Sequence, residues 1–428
     1  MKIVHVENHR HDHIVLKLTF RRGGTTDPVG GSGRAWLTGN MLLRGTKRLS
    51  EELFQEELDF LGSNLDVGVG AESVHVIGDC RRETWGPFME LLSEAILSPS
   101  LLDDELDKLI RNHIESLRNS RDSDSSILMQ MIPRLLFERH PYGRPVRGEE
   151  AELPDCTVAG LQAFHGDHLA SDVLVAGVAG DATREEVDRH LAPLLERLPA
   201  HAVPHNLAPL EDPRDTLDVL LVERPGRSQA QVGIARRAAP GSAEDLIPLV
   251  VCNTAFGDTF SAPLVREIRE VRGWSYGVES TLLPGRLTGV HLMHYAPSNE
   301  YAADAISLGL DLLRGVIERG PAPEDVEFAK SWLINHFPFH FDTASKRLDL
   351  QIQMLLTGRD NRYLDRFVER VRAVTPEDAH RAARNHWAGR RVAVVVVGDP
   401  SLGDSLERLD GLTRLRRVRY DHPGPLSD

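Results

Sequence analysis

Apolar positions along this chain recur with two different periods. Alternation marks strands at Ile3, Val4 and Val6, then from Ile14 to Phe20 across a polar turn that carries His9, His11 and His13. Residues 64–78 alternate in the same way, with extra glycines at Gly68 and Gly70, and Val173–Ala179 and Val392–Val397 read as further strands. The helical period governs Trp85, Phe88, Met89, Leu92, Ala95 and Ile96, and again Leu106, Leu109, Ile110, His113, Ile114 and Leu117. Ser50-Glu51-Glu52 caps a helix that Gly62 ends, Gly30-Gly31-Ser32-Gly33 opens another, and Val158–Leu169 is a fourth.

The pattern repeats. His168 precedes Asp181 by thirteen residues across a strand, and His386 precedes Asp399 by thirteen across another. Gly62 matches Gly273, each closing a helix before a strand, and the acidic helix start Asp103-Asp104-Glu105 matches Glu324-Asp325. These offsets of 218, 211 and about 221 residues describe one unit duplicated with small insertions. A proline-spaced run from Pro199 to Pro213 has little periodicity and reads as an extended linker. The expected organisation is an N-terminal domain over 1–198, a linker over 199–215 and a C-terminal domain over 216–428. The expected fold class is α+β, two homologous domains, each a mixed, largely antiparallel sheet with helices on one side.

Composition narrows the chemistry. A net charge of −14 over 428 residues argues against nucleic acid or an anionic membrane as partner, because both require clustered Lys and Arg. The first residues carry no charged-then-apolar leader and no run approaches eighteen apolar residues, so a cytoplasmic protein is expected. Cys80, Cys156 and Cys252 are isolated and odd in number, hence expected as free, buried thiols. Asp122–Ser126 lacks the glycine and terminal glutamate of a calcium loop, and the arginines at 414, 416, 417 and 419 read as solvated.

Trp36, Gly39 and Asn40 stand at i, i+3 and i+4, on one face of the helix that follows Gly33. Their surroundings resemble the M16 (pitrilysin, insulinase, mitochondrial processing peptidase) metallopeptidases, which read Gly-x-x-His-x-x-Glu-His-Met-x-x-x-Gly-Thr here. Gly33, Met41, Gly45 and Thr46 fall on that frame, while Trp36, Gly39 and Asn40 replace the metal-binding His, the base Glu and the second His. The last metal ligand of the family, a glutamate some seventy-odd residues later, falls on Ser116, with Glu115 as the competing register. Catalytic zinc takes about three protein ligands and an open position, and these side chains do not supply them.

The second half carries Phe260-Ser261-Ala262-Pro263 through Gly273-Trp274-Ser275-Tyr276-Gly277-Val278. Pro263 suits the first turn of a helix and Arg272-Gly273 its end, after which Trp274, Tyr276 and Val278 would line one face of a strand. The stretch resembles the M16 second-half signature, in which an Arg and a Tyr seven residues later bind substrate. Arg269 and Tyr276 have that spacing. On the residues alone, a surface Arg paired with Glu267 or Glu270 and a Tyr packed on a half-buried strand is the favoured reading, and only the resemblance favours the substrate-binding pair.

The histidine pairs His165/His168, His291/His294 and His336/His340 lack a third ligand nearby in sequence, and core or hydrogen-bonded roles are expected of them. The resemblance therefore implies an M16B-type subunit without its own zinc, of the LuxS/MPP-like fold. It would bind peptide through Arg269 and Tyr276 in a heterodimer whose catalytic partner carries His-x-x-Glu-His and the zinc. The alternative is a catalytically inactive scaffold or peptide-binding protein of the same fold.

Overall fold

The computed structural model describes residues 2–211, 215–359 and 363–421. The strands of the first half are β1 (Lys2–Glu7), β2 (Ile14–Phe20), β3 (Asn64–Val69), β4 (Val74–Cys80) and β5 (Leu174–Gly180). Its helices are α1 (Arg34–Met41), α2 (Glu51–Phe60), α3 (Trp85–Leu97), α4 (Asp103–Ser120), α5 (Asp124–Phe137), α6 (Val158–His168) and α7 (Arg184–Arg197). The second half contributes β6 (Leu217–Glu223), β7 (Gln231–Ala238), β8 (Val278–Leu283), β9 (Gly289–Tyr295), β10 (Val392–Gly398) and β11 (Leu412–Arg419). Its principal helices are α8 (Leu246–Asn253), α9 (Pro263–Val265), α10 (Ala302–Arg319), α11 (Pro323–His336), α12 (Ala344–Thr357), α13 (Tyr363–Ala373) and α14 (Pro376–Trp387). The stretch read as one strand over 64–78 is a hairpin, β3 and β4, with Gly70 and Ser73 paired across its turn.

Two sheets form, and they repeat one topology. The first has the order β1-β5-β2-β4-β3, with β1 and β5 parallel and the other neighbours antiparallel. In the second, β6-β10-β7-β9-β8 reproduces that order and those directions, and β11 is added in parallel beside β6. The strands bracketed by the two His/Asp spacings, β5 and β10, therefore hold the same place in their sheets.

The compact units are not two continuous stretches of chain. One comprises Met1–Leu117, Arg144–Ala208 and His340–Gln353; the other comprises Arg118–Gly143, Pro209–Phe339 and Met354–Asp428. Segments that the boundaries 1–198 and 216–428 assign to one half thus pack in the other unit. In the first unit, Ile14, Leu16, Leu18 and Phe20 of β2 are all but fully buried against Trp85, Phe88 and Leu92 of α3 and Leu191 and Leu194 of α7. In the second, Val232 and Ile234 of β7 share a core with Leu249 and Cys252 of α8 and Trp387 of α14.

Each sheet also has a helix on its other face, where sequence patterning led to the expectation of helices on one side only. In the second unit, Leu128, Met131 and Ile132 of α5 pack on Leu220, Val222, Ala235 and Val395. In the first, Leu348 and Ile352 of α12 are about 1% exposed. That is why β5 and β10 read as unbroken apolar runs: they are covered on both faces. The helices come close because the strand beneath is glycine. A Cβ at Gly177 would stand 2.7 Å from both Leu348 and Ile352 side chains, and one at Gly233 2.8 Å from Ile132.

The end of α5 is fixed by charge. Glu138 takes φ 44°, costly for a residue with a Cβ, and accepts hydrogen bonds from Arg391 (2.7 Å) and Arg414 (2.9 Å). Burial raises the Glu138 carboxyl, but these guanidiniums outweigh it and hold the group below the usual carboxylate range. Arg391 and Arg414 also meet Asp218, and Arg417 meets Glu223 at 2.7 Å. The arginines expected to be solvated are therefore ion-paired along an edge strand. Gly233→Val is expected to destabilise the chain by ~1–3 kcal/mol through overpacking against α5, measured by urea unfolding. Unchanged stability would mean that the helix is not seated on the strand as described.

Candidate functional site

Helix α1 is started from a distance. Gly33, at φ 88°, offers no side-chain cap, and Asp27 supplies one: its carboxylate accepts from the backbone N–H of Gly33 and of Ala35, both at 2.8 Å. Burial pushes the Asp27 carboxyl up to about 7 against the opposing effect of those bonds. Behind it, a Cβ at Gly33 would meet Gly148 Cα at 2.9 Å, so α1 begins in direct backbone contact with the 147–148 segment.

The face that carries Trp36, Gly39 and Asn40 is filled rather than open. Trp36 stacks on His113 of α4 with ring centroids 3.6 Å apart and planes at 15°. His113 donates Nε2–H to the Arg147 carbonyl at 2.7 Å, and burial holds it below its usual pKa range. Asn40 turns back along its own helix, its Nδ2 donating to the Trp36 carbonyl at 2.8 Å. A Cβ at Gly39 would lie 2.9 Å from Val69 and 3.0 Å from Val67, which leaves no room for a longer side chain. Ser116 accepts from the Arg147 guanidinium at 2.9 Å, while Glu115 is exposed.

These residues do not fit a zinc ion. They offer no imidazole pair or carboxylate, and Arg147 adds a permanent positive charge beside Ser116. Among the described residues no group of three or more His, Cys, Asp or Glu side chains is arranged to hold a metal. Two of the three histidines of the first turn find carboxylates, His9 bridging Glu7 and Asp181 and His13 lying 3.1 Å from Asp79, without forming such a group. All three cysteines are free and buried, and burial pushes Cys80 up to about 12.

A buried Ser–His contact in the second unit invites a hydrolase reading and excludes it. Asn253 Nδ2 donates to the Ser280 carbonyl at 2.8 Å, so Asn253 Oδ1 can only accept, and it takes the Ser280 hydroxyl proton at 2.7 Å. Ser280 Oγ must then accept from His291 Nε2–H at 2.8 Å, which makes His291 the donor and no base for this serine. Ser280 and His291 are both fully buried. His294, three residues on, hydrogen-bonds Gln231 instead, at 2.9 Å.

Arg269 and Tyr276 are brought together. Pro263 opens α9 at its first position, as expected, but the helix widens at once into a π-turn over Arg266–Val271 that carries Arg269. Gly273 then reverses the chain at φ 64°. Trp274, Tyr276 and Val278 do not share a strand face: β8 begins only at Val278, and 272–277 is a loop. Two contacts hold that loop. Trp274 stacks on Tyr301 at 5.5 Å, and the buried Ser275 donates to Gly277 O and accepts from Ala296 N–H. Tyr276 is thereby turned outward, 86% exposed.

The Arg269 guanidinium lies 4.6 Å from the Tyr276 ring centroid and 4.9 Å from that of Phe260, a residue 74% exposed. The ion pair open on sequence grounds is absent: Glu267 is taken by Arg272, and no described carboxylate meets Arg269. Each exposed cation–π contact is worth ~0.5–1 kcal/mol. Fixing an arginine side chain costs about 2 kcal/mol of rotamer freedom, of which one ring offsets at most about half and two rings about 1–2 kcal/mol. The result is a charged group whose N–H edge has no partner among the described residues, beside an exposed phenol. Sequence reasoning missed Phe260 and Arg147. Phe260 serves no apolar period in its polar turn, and Arg147 gains its place only by packing.

A duplicated mixed sheet with helices packed on it defines a two-unit α+β fold. The chain belongs to peptidase family M16: the insulinase profile of that family matches residues 2–150, and its "peptidase M16 inactive domain" profile matches residues 155–333. An uncharacterized zinc protease of Mycobacterium tuberculosis is 25% identical over 377 residues, 86% of this chain and 84% of the relative. A non-peptidase homolog, YmxG, of Helicobacter pylori is 20% identical over 83% of this chain and 82% of its own length. Among solved structures, a peptidase M16 inactive domain from Pseudomonas fluorescens superposes with a TM-score of 0.85 at 21% identity, covering 93% of this chain and 95% of that one.

Two outcomes follow from the geometry around α1. Restoring Trp36→His, Gly39→Glu, Asn40→His and Ser116→Glu together is expected to leave the chain without stoichiometric zinc by elemental analysis, because Val67, Val69 and Arg147 remain; one zinc per chain would refute the packing argument. A carboxyl raised in the folded state contributes stability below its unfolded pKa and loses that contribution as pH rises toward 7. Wild type is therefore expected to lose stability relative to Asp27→Asn between pH 5 and pH 8, by up to ~3 kcal/mol in urea unfolding. A pH-independent difference would sink the assignment.

Proposed function

We propose that this chain is a non-catalytic, substrate-binding subunit of a heterodimeric zinc metallopeptidase that cleaves peptides. It presents Arg269 and Tyr276 to the scissile carbonyl at the site of a catalytic M16 partner. The observation that carries the reading is a half-buried guanidinium that meets no carboxylate among the described residues, held against an exposed phenol, in a chain whose positions 36, 39, 40 and 116 carry no metal-binding side chain. Both groups are donors, and both suit an oxygen that gains negative charge as water attacks a peptide. The partner, carrying His-x-x-Glu-His, would supply the zinc that activates that water. Exposed edge strands accept an extended peptide by backbone hydrogen bonds with little sequence preference.

A cytoplasmic location is part of the proposal; no helix among the described residues is long and apolar enough to cross a membrane, and net charge −14 disfavours nucleic acid. The H. pylori relative's name, non-peptidase homolog, favours a second reading, a scaffold or peptide-binding protein without a part in cleavage.

A tagged pull-down from native extract, with mass spectrometry and zinc analysis, separates the two. A stoichiometric second chain bearing the zinc motif is expected. In that complex Arg269→Ala or Tyr276→Phe should lower kcat by ~10²–10³-fold with assembly intact. Elution of this chain alone, metal-free and inactive, or full activity in both variants, leaves the scaffold reading.

A further inference from the structure

Phe260 lies in the turn between a π-turn at Thr254–Asp258 and α9, in the polar setting Asp258-Thr259-Phe260-Ser261. It is an aromatic side chain 74% exposed to solvent, and its described ring contact is the Arg269 guanidinium at 4.9 Å. Tyr276 meets the same guanidinium at 4.6 Å. A guanidinium that stacks on aromatic rings keeps its in-plane N–H edge for a ligand. That edge matches a carbonyl or carboxylate oxygen lying in the guanidinium plane and excludes a ligand that would stack on the face.

We infer that Phe260 is a third member of the Arg269/Tyr276 site, a positioning residue that holds the Arg269 guanidinium edge-on for a peptide oxygen. The inference rests on the reading of Arg269 as the substrate clamp. It adds that the clamp is set before substrate arrives, because the single ring of Tyr276, itself 86% exposed, does not offset the freedom of the arginine side chain. It also makes the exposure of Phe260 functional: the ring is spent on the cation rather than on the core.

The test compares Phe260→Ala and Phe260→Tyr with Arg269→Ala, in the full chain and in the complex with its catalytic partner. Phe260 is largely exposed, so these variants are expected to fold, and matching thermal unfolding confirms it. In the isolated chain the readout is the Arg269 Nε–H resonance of arginine-labelled protein, assigned by its loss in Arg269→Lys. Phe260→Ala is expected to move that signal to the position of a solvated arginine, and Phe260→Tyr to keep it. A signal unmoved by Phe260→Ala overturns the inference.

In the complex, Phe260→Ala should lower kcat about tenfold with little change in KM, Phe260→Tyr should restore it, and Phe260→Ala should add nothing to Arg269→Ala. If Arg269→Ala abolishes cleavage while Phe260→Ala leaves it intact, the positioning role falls and the proposed function stands. If Arg269→Ala leaves cleavage intact, the proposed function falls and takes the positioning role with it.

Discussion

Both sheets among the described residues are covered on two faces, and the second cover depends on a glycine. Gly177 on β5 and Gly233 on β7 remove the Cβ that would otherwise hold the overlying helix away from the strand. The leucines and isoleucines of α12 and α5 then reach the backbone, and the central strands become dry on both sides. Since a fully buried strand must satisfy its polar backbone groups within the ladder, the apolar runs of β5 and β10 follow from that double cover. Each covering helix comes from the other half of the sequence, so neither half has the cover it needs within its own stretch of chain.

The two sheets keep the same order and strand directions, yet their chemistry has separated. In the first, the helix that presents positions 36, 39 and 40 is tightly built, with a remote carboxylate at its start and valines under Gly39. Its outward face has become a packing surface, an indole on an imidazole and an arginine on a serine. In the second, the corresponding investment is in a loop. Ser275 and Trp274 fix the turn after the π-turn so that Tyr276 projects outward and Arg269 meets two rings instead of a carboxylate. Among the described residues that guanidinium meets no carboxylate.

The buried Asn253–Ser280–His291 chain illustrates how hydrogen-bond accounting limits function. A backbone carbonyl that can only accept fixes the asparagine, the asparagine fixes the serine, and the serine fixes the histidine tautomer. Three residue types common in hydrolytic sites are thereby committed to holding strands β8 and β9 to α8. Proximity alone does not make a nucleophile; the direction of each proton decides.

Much of this was legible in the sequence. Alternation located β1 and β2, unbroken apolar runs located β5 and β10, the 3.6 period located α3 and α4, and the spaced His/Asp pairs exposed the duplication, because each of these follows from local geometry and from which sides face the core. The loss of metal-binding side chains at Trp36, Gly39, Asn40 and Ser116 was equally plain, since no packing can turn an indole or a bare Cα into a ligand. The seven-residue spacing of Arg269 and Tyr276 could be read, but not what holds them. That required knowing that the helix widens into a π-turn, that the strand begins only at Val278, and that Phe260 arrives from another turn. Likewise the exchange of α5 and α12, the ion pairs of Glu138 with Arg391 and Arg414, and the place of Arg147 beside Ser116 depend on contacts between residues far apart in the chain. Periodicity reports which face of an element is buried; which other element buries it is decided only when the whole chain packs.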